Sequence, residues 1–559
     1  MKNKFLYIGG LMAMSVFSGC EKEFLERPPL DTLVDANFFK TDAQLLAASS
    51  PLYSVVWKDY VDQASWALGD LRAGTTFRAW GYRDDVLFNT TEVSTSNSQA
   101  YRAFWIVIGQ ANTLIQNVER YAGPEVSDAI RRHVIAEARF MRATAYSMLV
   151  MNYGPVPIIE NNLALLNAPE VKRNTVENVW EFITRDYQYA AENLPANPID
   201  VGRISKWSAE GMLARTYLTR AGVGGTMNQE YLDLAKEYAQ RVITMSGRSL
   251  LPNYANLFRY PYDNNVESLF EQQWVFSANP NDYGYRNTMV SQITFSNDIA
   301  NGDGWGGDLS ASWWQLSLYD GLFENGFTND TRLKATYMLP GFHYPEISQT
   351  VTGADGNATL QELVFPAPAA TTDNSYASIK KYVVGKAVDV ERFGGQAAQQ
   401  NYPNNTYMLR LAEMYLIYAD AAIGSGQSTT DAQALEYVNV IRRRAGVAPI
   451  ENVLTWQDVF EERMKEFAME GLAWYDLVRI HYFDPQRAYG IVNSQDRGMF
   501  VVHPNRMPNP TSWSFEKTEW FEERTATANS GNFLLPIPAA EAGQAPWLRD
   551  EPVEYDFGG

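Results

Sequence analysis

The sequence predicts a mainly α-helical protein with an irregular, aromatic-rich region inserted between its helices. Apolar residues recur at three- and four-residue intervals in many stretches before residue 250 and again after residue 404, which is typical of amphipathic helices. Between them Gly, Asn, Pro and aromatic residues replace this pattern. Long irregular segments that are rich in aromatic residues are usually functional. We therefore divide the chain into an N-terminal helical region (20–250, with an expected ligand loop near 66–98), an irregular subdomain expected to bind ligand (251–403) and a C-terminal helical region (404–559).

Capping residues predict where the individual helices begin and end. Gly154 and Pro155 end the helix that begins near residue 127, and either Asn174 or Thr175 caps the next one. Short loops between consecutive helices predict stacked antiparallel helix pairs, although no regular repeat period is evident. The predicted helices are 127–153, 176–194, 205–222, 229–246, 406–423, 431–445 and 455–471, and short strands are expected at 268–276 and 379–384.

The N-terminus predicts export. Lys2 and Lys4 precede an apolar run that is too short for a transmembrane helix, so residues 1–19 are interpreted as a signal peptide. Cys20 follows small residues at the end of that run, which resembles the bacterial lipobox and implies lipidation of its thiol. A spare thiol in an ordinary secretory peptide is the alternative. Because Cys20 is the only cysteine, disulfides within the chain and Cys-based zinc sites are excluded.

Charge and motif content narrow the functional classes. A net charge of −19 argues against a nucleic-acid partner, since such partners are held largely by Lys and Arg. The four histidines show no metal-ligand spacing, and neither a nucleophile elbow nor a phosphate-binding loop is found. We therefore expect no metal, no cofactor and no enzyme activity, although a glycosidase needs only two carboxylates and leaves no motif.

Two stretches combine aromatic and polar residues in a way that fits a sugar ligand. Residues 301–315 read NGDGWGGDLSASWWQ and formally match G-x-G-x-x-G, but no βαβ pattern surrounds them, so a dinucleotide site is rejected. Glycines beside Trp305 instead leave its indole face open for a sugar ring. Either Trp313 or Trp314 is expected to pack in the core. The stretch 66–83, WALGDLRAGTTFRAWGYR, has the same mixture of rings, carboxylates and guanidinium groups.

Several segments together resemble the SusD-like (RagB-like) family of Bacteroidetes outer-membrane glycan-binding lipoproteins. Two departures are noted: the proline of the family's helix start is absent, with Ser312 nearby, and Ala473 replaces a common arginine. The segments that carry the resemblance are CEKEFLERPPLDTLVDANFF (20–39), AEARFMRATAYSMLVMNYGPVPII (136–159), KRNTVENVWEFITRDYQYAAENLP (172–195), GRISKWSAEGMLARTYL (202–218), Gly304-Trp305-Gly306, MLRLAEMYLIYADA (408–421), ERMKEFAMEGLAWYDLVR (462–479) and LLPIPAAE (534–541).

This resemblance implies a superhelix of tetratricopeptide-like helix pairs carrying an irregular glycan-binding subdomain. It also implies an outer-membrane, cell-surface protein anchored through Cys20, which binds oligosaccharide or polysaccharide and delivers it to a TonB-dependent barrel transporter. A peptide-binding member of a peptide importer is the alternative. The residues predicted to contact ligand are Trp305, Trp80, Tyr82, Asp70, Arg72, Tyr283, Asp303 and Trp314.

Overall fold

The computed structural model describes residues 38–365, 377–505, 511–518 and 523–558. The predicted signal peptide and Cys20 lie outside them. Eighteen α-helices occur in these ranges: α1 Asp42–Ser49, α2 Arg83–Val86, α3 Thr95–Tyr121, α4 Asp128–Tyr153, α5 Val176–Asn193, α6 Lys206–Arg220, α7 Gln229–Met245, α8 Met289–Ile293, α9 Trp313–Ser317, α10 Leu322–Asn325, α11 Thr331–Thr336, α12 Ala387–Glu391, α13 Leu411–Ile423, α14 Ala432–Ala445, α15 Trp456–Glu466, α16 Ala473–Phe483, α17 Pro485–Ser494 and α18 Ala539–Gln544.

The long helices form a continuous scaffold in which each packs on the next. Helices α3 to α7 contact one another in chain order, α7 then contacts α13, and α13 contacts α14. Their buried faces join one hydrophobic core that also reaches into the irregular region. The mainly helical class predicted from the sequence is therefore confirmed, whereas the division into three regions stays a prediction. In the part of the chain that the structure describes, no helix is long and apolar enough to cross a bilayer.

The strands are short and antiparallel, and they tie the irregular region to the scaffold. The strands are β1 Thr76–Arg78, β2 Ser268–Gln272, β3 Leu309–Ala311, β4 Tyr337–Met338, β5 His343–Thr352, β6 Ala358–Val364, β7 Ser378–Ile379, β8 Thr406–Arg410, β9 Ser428–Thr429, β10 Leu454–Thr455, β11 Phe500–Pro504 and β12 Trp513–Lys517. One sheet has the strand order β1-β3-β7-β4, while β2 pairs with β8 at the entrance to α13.

Most predicted helix ends agree with the structure. Ser127 caps α4 by accepting the N–H of Ile130, and Thr175, rather than its neighbour Asn174, caps α5. Two boundaries differ. The helix predicted from residue 406 begins at Leu411, because 406–410 forms β8, which is buried on both faces. The helix predicted to reach residue 471 ends at Glu466, since the turn that follows places Met469 and Gly471 at positive φ.

A buried cluster of charges fastens the irregular region to the C-terminal helices. Arg332 lies 2.6 Å from both Asp330 and Glu462, and Arg410 lies 2.6 Å from Glu466 and 2.9 Å from Glu267. We call these residues, together with Lys381, Arg444 and Glu470, which pair with them, the charge cluster. The side chains of its members are almost completely shielded from solvent, so each charge depends on its protein partners.

Candidate functional site

Exposed aromatic rings gather where separate loops meet. Among the described tryptophans only Trp80 and Trp305 are exposed, with 59% and 41% of their surfaces accessible. Tyr283 is 40% exposed and Tyr82 is half-buried. We call these four residues the aromatic face. All four were predicted from the sequence to contact ligand, and hydrogen bonds connect the loops that carry them.

Asp308 joins the loop of Trp80 to the loop of Trp305. Pairing of β1 with β3 brings the two loops side by side. The backbone N–H of Trp80 donates to Asp308 Oδ2 at 2.7 Å, and Arg78 Nε lies 3.1 Å from Asp308 Oδ1. Arg78 also donates from Nη2 to the carbonyl oxygen of Trp305 at 3.4 Å. The two indole rings therefore stand on neighbouring, cross-linked backbone segments.

Close backbone packing explains the glycines beside Trp305. A Cβ atom on Gly304 would lie 2.5 Å from the carbonyl carbon of Ser296, and Gly304 has a φ of 140° that side chains disfavour. A Cβ atom on Gly306 would lie 2.4 Å from the backbone of Ile293. The glycines let this loop press against the preceding segment, so that the indole between them projects outward.

Two backbone N–H groups of the same loop are not available to a phosphate. The N–H of Trp305 donates to the carbonyl oxygen of Ser291 at 3.0 Å, and the N–H of Gly306 donates to that of Thr294 at 2.9 Å. A phosphate cradle needs such N–H groups to point at the ligand. Gly304 and Gly306 therefore serve the close packing of two backbone segments.

Asp303 is completely buried, and the prediction that it binds ligand hydroxyls is wrong. Its carboxylate accepts the N–H of Gln400 at 2.6 Å, the N–H of Asn301 at 3.1 Å and the hydroxyl of Tyr402 at 2.9 Å, as well as the hydroxyl of Ser291. With these donors its acceptor sites are occupied by the protein. Asp303 instead fixes the loop two residues before Trp305.

Tyr283 is held in the aromatic face through the residue that also contacts Asp303. Its hydroxyl donates to Gln400 Oε1 at 2.9 Å. Lys58 Nζ lies 3.8 Å from the centre of the Tyr283 ring, where a cation is attracted to the π-system. Burial lowers the pKa of this lysine. Lys58 was not predicted from the sequence, and it places a positive charge on one side of the ring.

The structure also corrects the prediction for Asp70, which is fully buried. Its oxygens accept the N–H of Met469 at 2.8 Å, the N–H of Gly471 at 3.1 Å and the hydroxyl of Thr75 at 3.0 Å. Burial raises the pKa of this carboxyl to about 6. Asp70 ties the segment below the aromatic face to the turn after α15 and has no surface left for a sugar.

Arg72 is likewise inaccessible, so it does not serve as a ligand residue. Its guanidinium group donates to the hydroxyl of Thr90 at 2.8 Å and to the carbonyl oxygens of Asn532 and Phe533 at 2.6 and 3.0 Å. It also stacks 3.9 Å from the centre of the Phe88 ring. Burial lowers the pKa of Arg72 to about 10, which leaves it charged at neutral pH.

Trp314 lies away from the aromatic face, contrary to the prediction. It follows β3 at the end opposite Trp305, where its N–H donates to the carbonyl oxygen of Asp496 at 2.8 Å. Its ring faces Phe460 across 6.5 Å. Trp313 packs 4.4 Å from Phe323 in the core. Trp313 and Trp314 are both half-buried and both pack against the hydrophobic core, and neither indole joins Trp305.

Two polar residues that the sequence did not indicate come from a π-helical turn, Tyr60–Ala64. The side-chain oxygen of Gln63 accepts the hydroxyl of Tyr82, and Asp62 accepts the hydroxyl of Thr288. A π-helical turn is rare and often found at functional sites. No composition signal distinguishes it from an α-helix, which is why these residues were missed.

The aromatic face suits a flat, uncharged, polyhydroxylated ligand. Indole and phenol rings pack against the C–H faces of sugar rings, and amide or carboxylate groups beside them bond hydroxyls. Nothing in the described ranges brings three or more His, Cys, Asp or Glu side chains together as a metal site. The geometry is that of a binding surface with preset rings.

Comparison with known proteins agrees with this geometry. A family model described as the SusD family matches residues 247–552, which is more than half of the chain. The chain belongs to the SusD family. A second model, described as starch-binding and associating with the outer membrane, matches residues 72–218 of this SusD family protein.

Relatives and solved structures extend the similarity over the whole chain. A SusD-like protein of Bacteroides ovatus is 34% identical, over 100% of this chain and 99% of its own. The starch-binding protein SusD of Bacteroides thetaiotaomicron is 24% identical over 72% of this chain and 74% of its own. A crystal structure with xylogluco-oligosaccharide is 32% identical, with a TM-score of 0.79, and covers 92% of this chain and 100% of the solved one.

Proposed function

We propose that this SusD family protein captures oligosaccharides or polysaccharides at the cell surface and delivers them to a TonB-dependent outer-membrane transporter. The observation that carries the proposal is the aromatic face, because its two tryptophans are the exposed ones among those described and both stand on cross-linked loops. The similar crystal structure with xylogluco-oligosaccharide supports a sugar ligand. Binding without turnover is part of the proposal.

A neutral glycan fits the charge of the protein best. The net charge of −19 disfavours polyanionic ligands, and Arg78, the guanidinium group beside the face, is already paired with Asp308. Exchange of water for protein hydrogen bonds yields little net free energy, so a shallow sugar site is weak on its own. Tethering beside a transporter compensates by raising the effective concentration of captured glycan.

The proposed anchor is a lipid on Cys20. Acyl chains alone would hold the protein to the outer membrane, and two or more are needed for stable attachment. Replacement of Cys20 by Ala should abolish incorporation of labelled palmitate and release the protein from the membrane fraction. Retention of the variant in the membrane fraction would contradict the lipid anchor, but it would leave the proposed glycan binding unaffected.

Glycan screening tests the central proposal directly. Protein lacking residues 1–20 is run by affinity electrophoresis through xyloglucan, mixed-linkage β-glucan, starch, laminarin and an anionic pectin, and is titrated with a peptide digest by calorimetry. We expect retardation by at least one neutral glycan and no heat from peptides. If no glycan retards the protein and titration with the peptide digest releases heat, peptide capture would replace the proposal. Release of short sugars from an incubated glycan, seen by chromatography, would overturn binding without turnover.

A further inference from the structure

A second concave surface lies beside the aromatic face. This cavity, which we call the side groove, has a volume of about 750 Å³, and its walls include Tyr260, Asp263, Asn264, Gln273, Trp274 and Gln396. It is distinct from the four rings of the aromatic face, none of which lines it.

Two backbone connections make the side groove adjacent to the aromatic face. Val275 in the groove wall donates its N–H to the carbonyl oxygen of Tyr285 at 2.9 Å, two residues from Tyr283. Tyr285 is 39% exposed. On the other wall, Gln396 lies four positions before Gln400 in the chain, and Gln400 accepts the hydrogen bond of the Tyr283 hydroxyl. The side groove therefore lies next to the Tyr283 side of the aromatic face.

Carboxamide groups line the groove in a fixed arrangement. Asn264 and Gln273 donate to each other's side-chain oxygens, both at 2.9 Å. Asn405, only 6% exposed, donates to Gln273 Oε1 at 3.0 Å and to Glu271 at 2.8 Å. These bonds occupy both donor and both acceptor positions of Gln273, so this amide holds the groove wall in place. The half-buried Asn264, which keeps one N–H and one acceptor position, and the exposed Gln396 are the amides that can bond sugar hydroxyls.

The charges around the groove favour a neutral ligand. The described residues that line the groove include no Lys or Arg, but they include the acidic residues Asp263 and Glu391. Burial, followed by the nearby carboxylate of Glu271, raises the pKa of Asp263 to about 8. At neutral pH this carboxyl is mostly protonated and both donates and accepts hydrogen bonds. Phosphates and uronic acids would meet no positive partner.

An aromatic ring completes the wall. Tyr260 is half-buried, and a Cβ atom on Gly395 would lie 2.5 Å from Tyr260 Cε1, so the ring fits only because residue 395 has no side chain. Ring and amide groups in one concave surface are the combination that the aromatic face itself offers.

From this arrangement we infer that the side groove is a second carbohydrate subsite, which binds further neutral sugar residues of a chain already stacked on the aromatic face. The inference rests on the proposed function, since it assumes a glycan ligand. It assigns a length preference: a glycan that reaches both surfaces binds more tightly than one that covers the aromatic face alone.

Paired probes of different length test the subsite. The first probes are xyloglucan polymer and its heptasaccharide repeat, replaced by the corresponding polymer and oligosaccharide if screening selects another neutral glycan. Gln396→Ala and Tyr260→Ala should each weaken polymer binding roughly three- to tenfold, the effect of losing one hydrogen bond or ring contact, while leaving heptasaccharide binding unchanged. Gln544→Ala, an exposed glutamine in α18, is the matched control.

The outcomes separate this inference from the proposed function. Because Tyr260 also packs against the core, Gln396→Trp, which fills the groove from an exposed position, provides a second disruption. Unchanged polymer affinity in both Gln396 variants would overturn the subsite while the aromatic face still binds. Equal losses for polymer and heptasaccharide would also overturn it. No binding of any glycan by the unmodified protein would remove both proposals.

Discussion

Trp305 owes its position to backbone contacts rather than to contacts of its ring. The glycines on either side and the buried carboxylate of Asp303 determine the loop, while the indole is 41% exposed. Ring and loop can therefore be tested separately. A substitution of the ring tests its contact with ligand, and a substitution of the residues that hold the loop tests how the loop is positioned.

Replacement of Trp305 by Ala should lower glycan affinity by about 1 to 3 kcal/mol, the range for losing a central aromatic contact, with little change in melting temperature. Calorimetry with the selected glycan and a thermal melt measure both quantities. Trp547→Ala, which removes a half-buried tryptophan near the C-terminus, should leave affinity unchanged. Intact binding together with a lower melting temperature in Trp305→Ala would return this residue to a structural role.

Replacement of Asp303 by Asn should reduce both stability and affinity. The carboxylate accepts from at least four donors, so an amide in its place turns an N–H group toward one of them, which costs about 1 to 3 kcal/mol for a buried unsatisfied donor. Denaturant unfolding and glycan titration are the measurements. The exposed Asp233→Asn is the control, and an Asp303→Asn protein with unchanged stability would show that the loop does not depend on this carboxylate.

The loop and the helices differ in how much of their structure the sequence reveals. Ser127 and Thr175 can be recognised as caps because capping uses the side chain of one residue at a fixed distance from the first helical N–H groups. The sequence predicts a helix over the residues of β8, because a strand buried on both faces shows no alternation of polar and apolar residues. The boundary at Leu411 therefore depends on tertiary pairing with β2.

The aromatic face was predictable only in part, for a related reason. Glycine neighbours pointed to Trp80 and Trp305, since small residues leave a ring uncovered. The sequence does not indicate which side chains of a loop face inward. The burial of Asp70 and Arg72 could therefore not be predicted. Gln63 was not predicted, because no composition signal marks the π-helical turn that carries it.

The loop as an element is tested by Gly306→Ala. Its added Cβ atom would meet the Ile293 backbone at 2.4 Å, so the loop must move and glycan affinity should fall although every ring is retained. Gly109→Ala is the matched control, because a Cβ atom in the middle of α3 meets nothing within 4 Å and should stabilise the protein by about 0.5 to 1 kcal/mol. Equal affinity in both variants would show that the loop tolerates displacement.

The charge cluster acts on the whole molecule, because its residues come from both the irregular region and the C-terminal helices. Burial alone would raise the pKa of Glu466, but the guanidinium groups of Arg444, Arg410 and Arg332 outweigh it and hold the pKa well below its usual range. The folded state therefore binds this proton less readily than the unfolded chain. Its stabilising contribution is present above the unfolded pKa of about 4.3 and is lost as the pH falls toward the folded value.

Glu466→Gln should lower the free energy of unfolding by about 3 to 5 kcal/mol at pH 7, since it removes the one carboxylate that pairs with all three buried guanidinium groups. The difference from the unmodified protein should shrink at pH 3, where the unfolded-state carboxyl is protonated. Urea unfolding at both pH values measures this. Glu436→Gln, in an exposed pair with Arg443, should change stability by less than about 1 kcal/mol at either pH. A deficit for Glu466→Gln that is equal at pH 7 and pH 3 would contradict the linkage.

The backbone bonds that hold the Trp305 loop also have a kinetic consequence. Because the N–H groups of Trp305 and Gly306 are already paired with the preceding segment, no closure step has to precede sugar binding. Association then depends on diffusion and orientation, and weak affinity on a shallow surface corresponds to a short residence time. A bound glycan chain can dissociate and rebind many times within one encounter. In the proposed function, binding at this surface would therefore not be the step that limits glycan uptake.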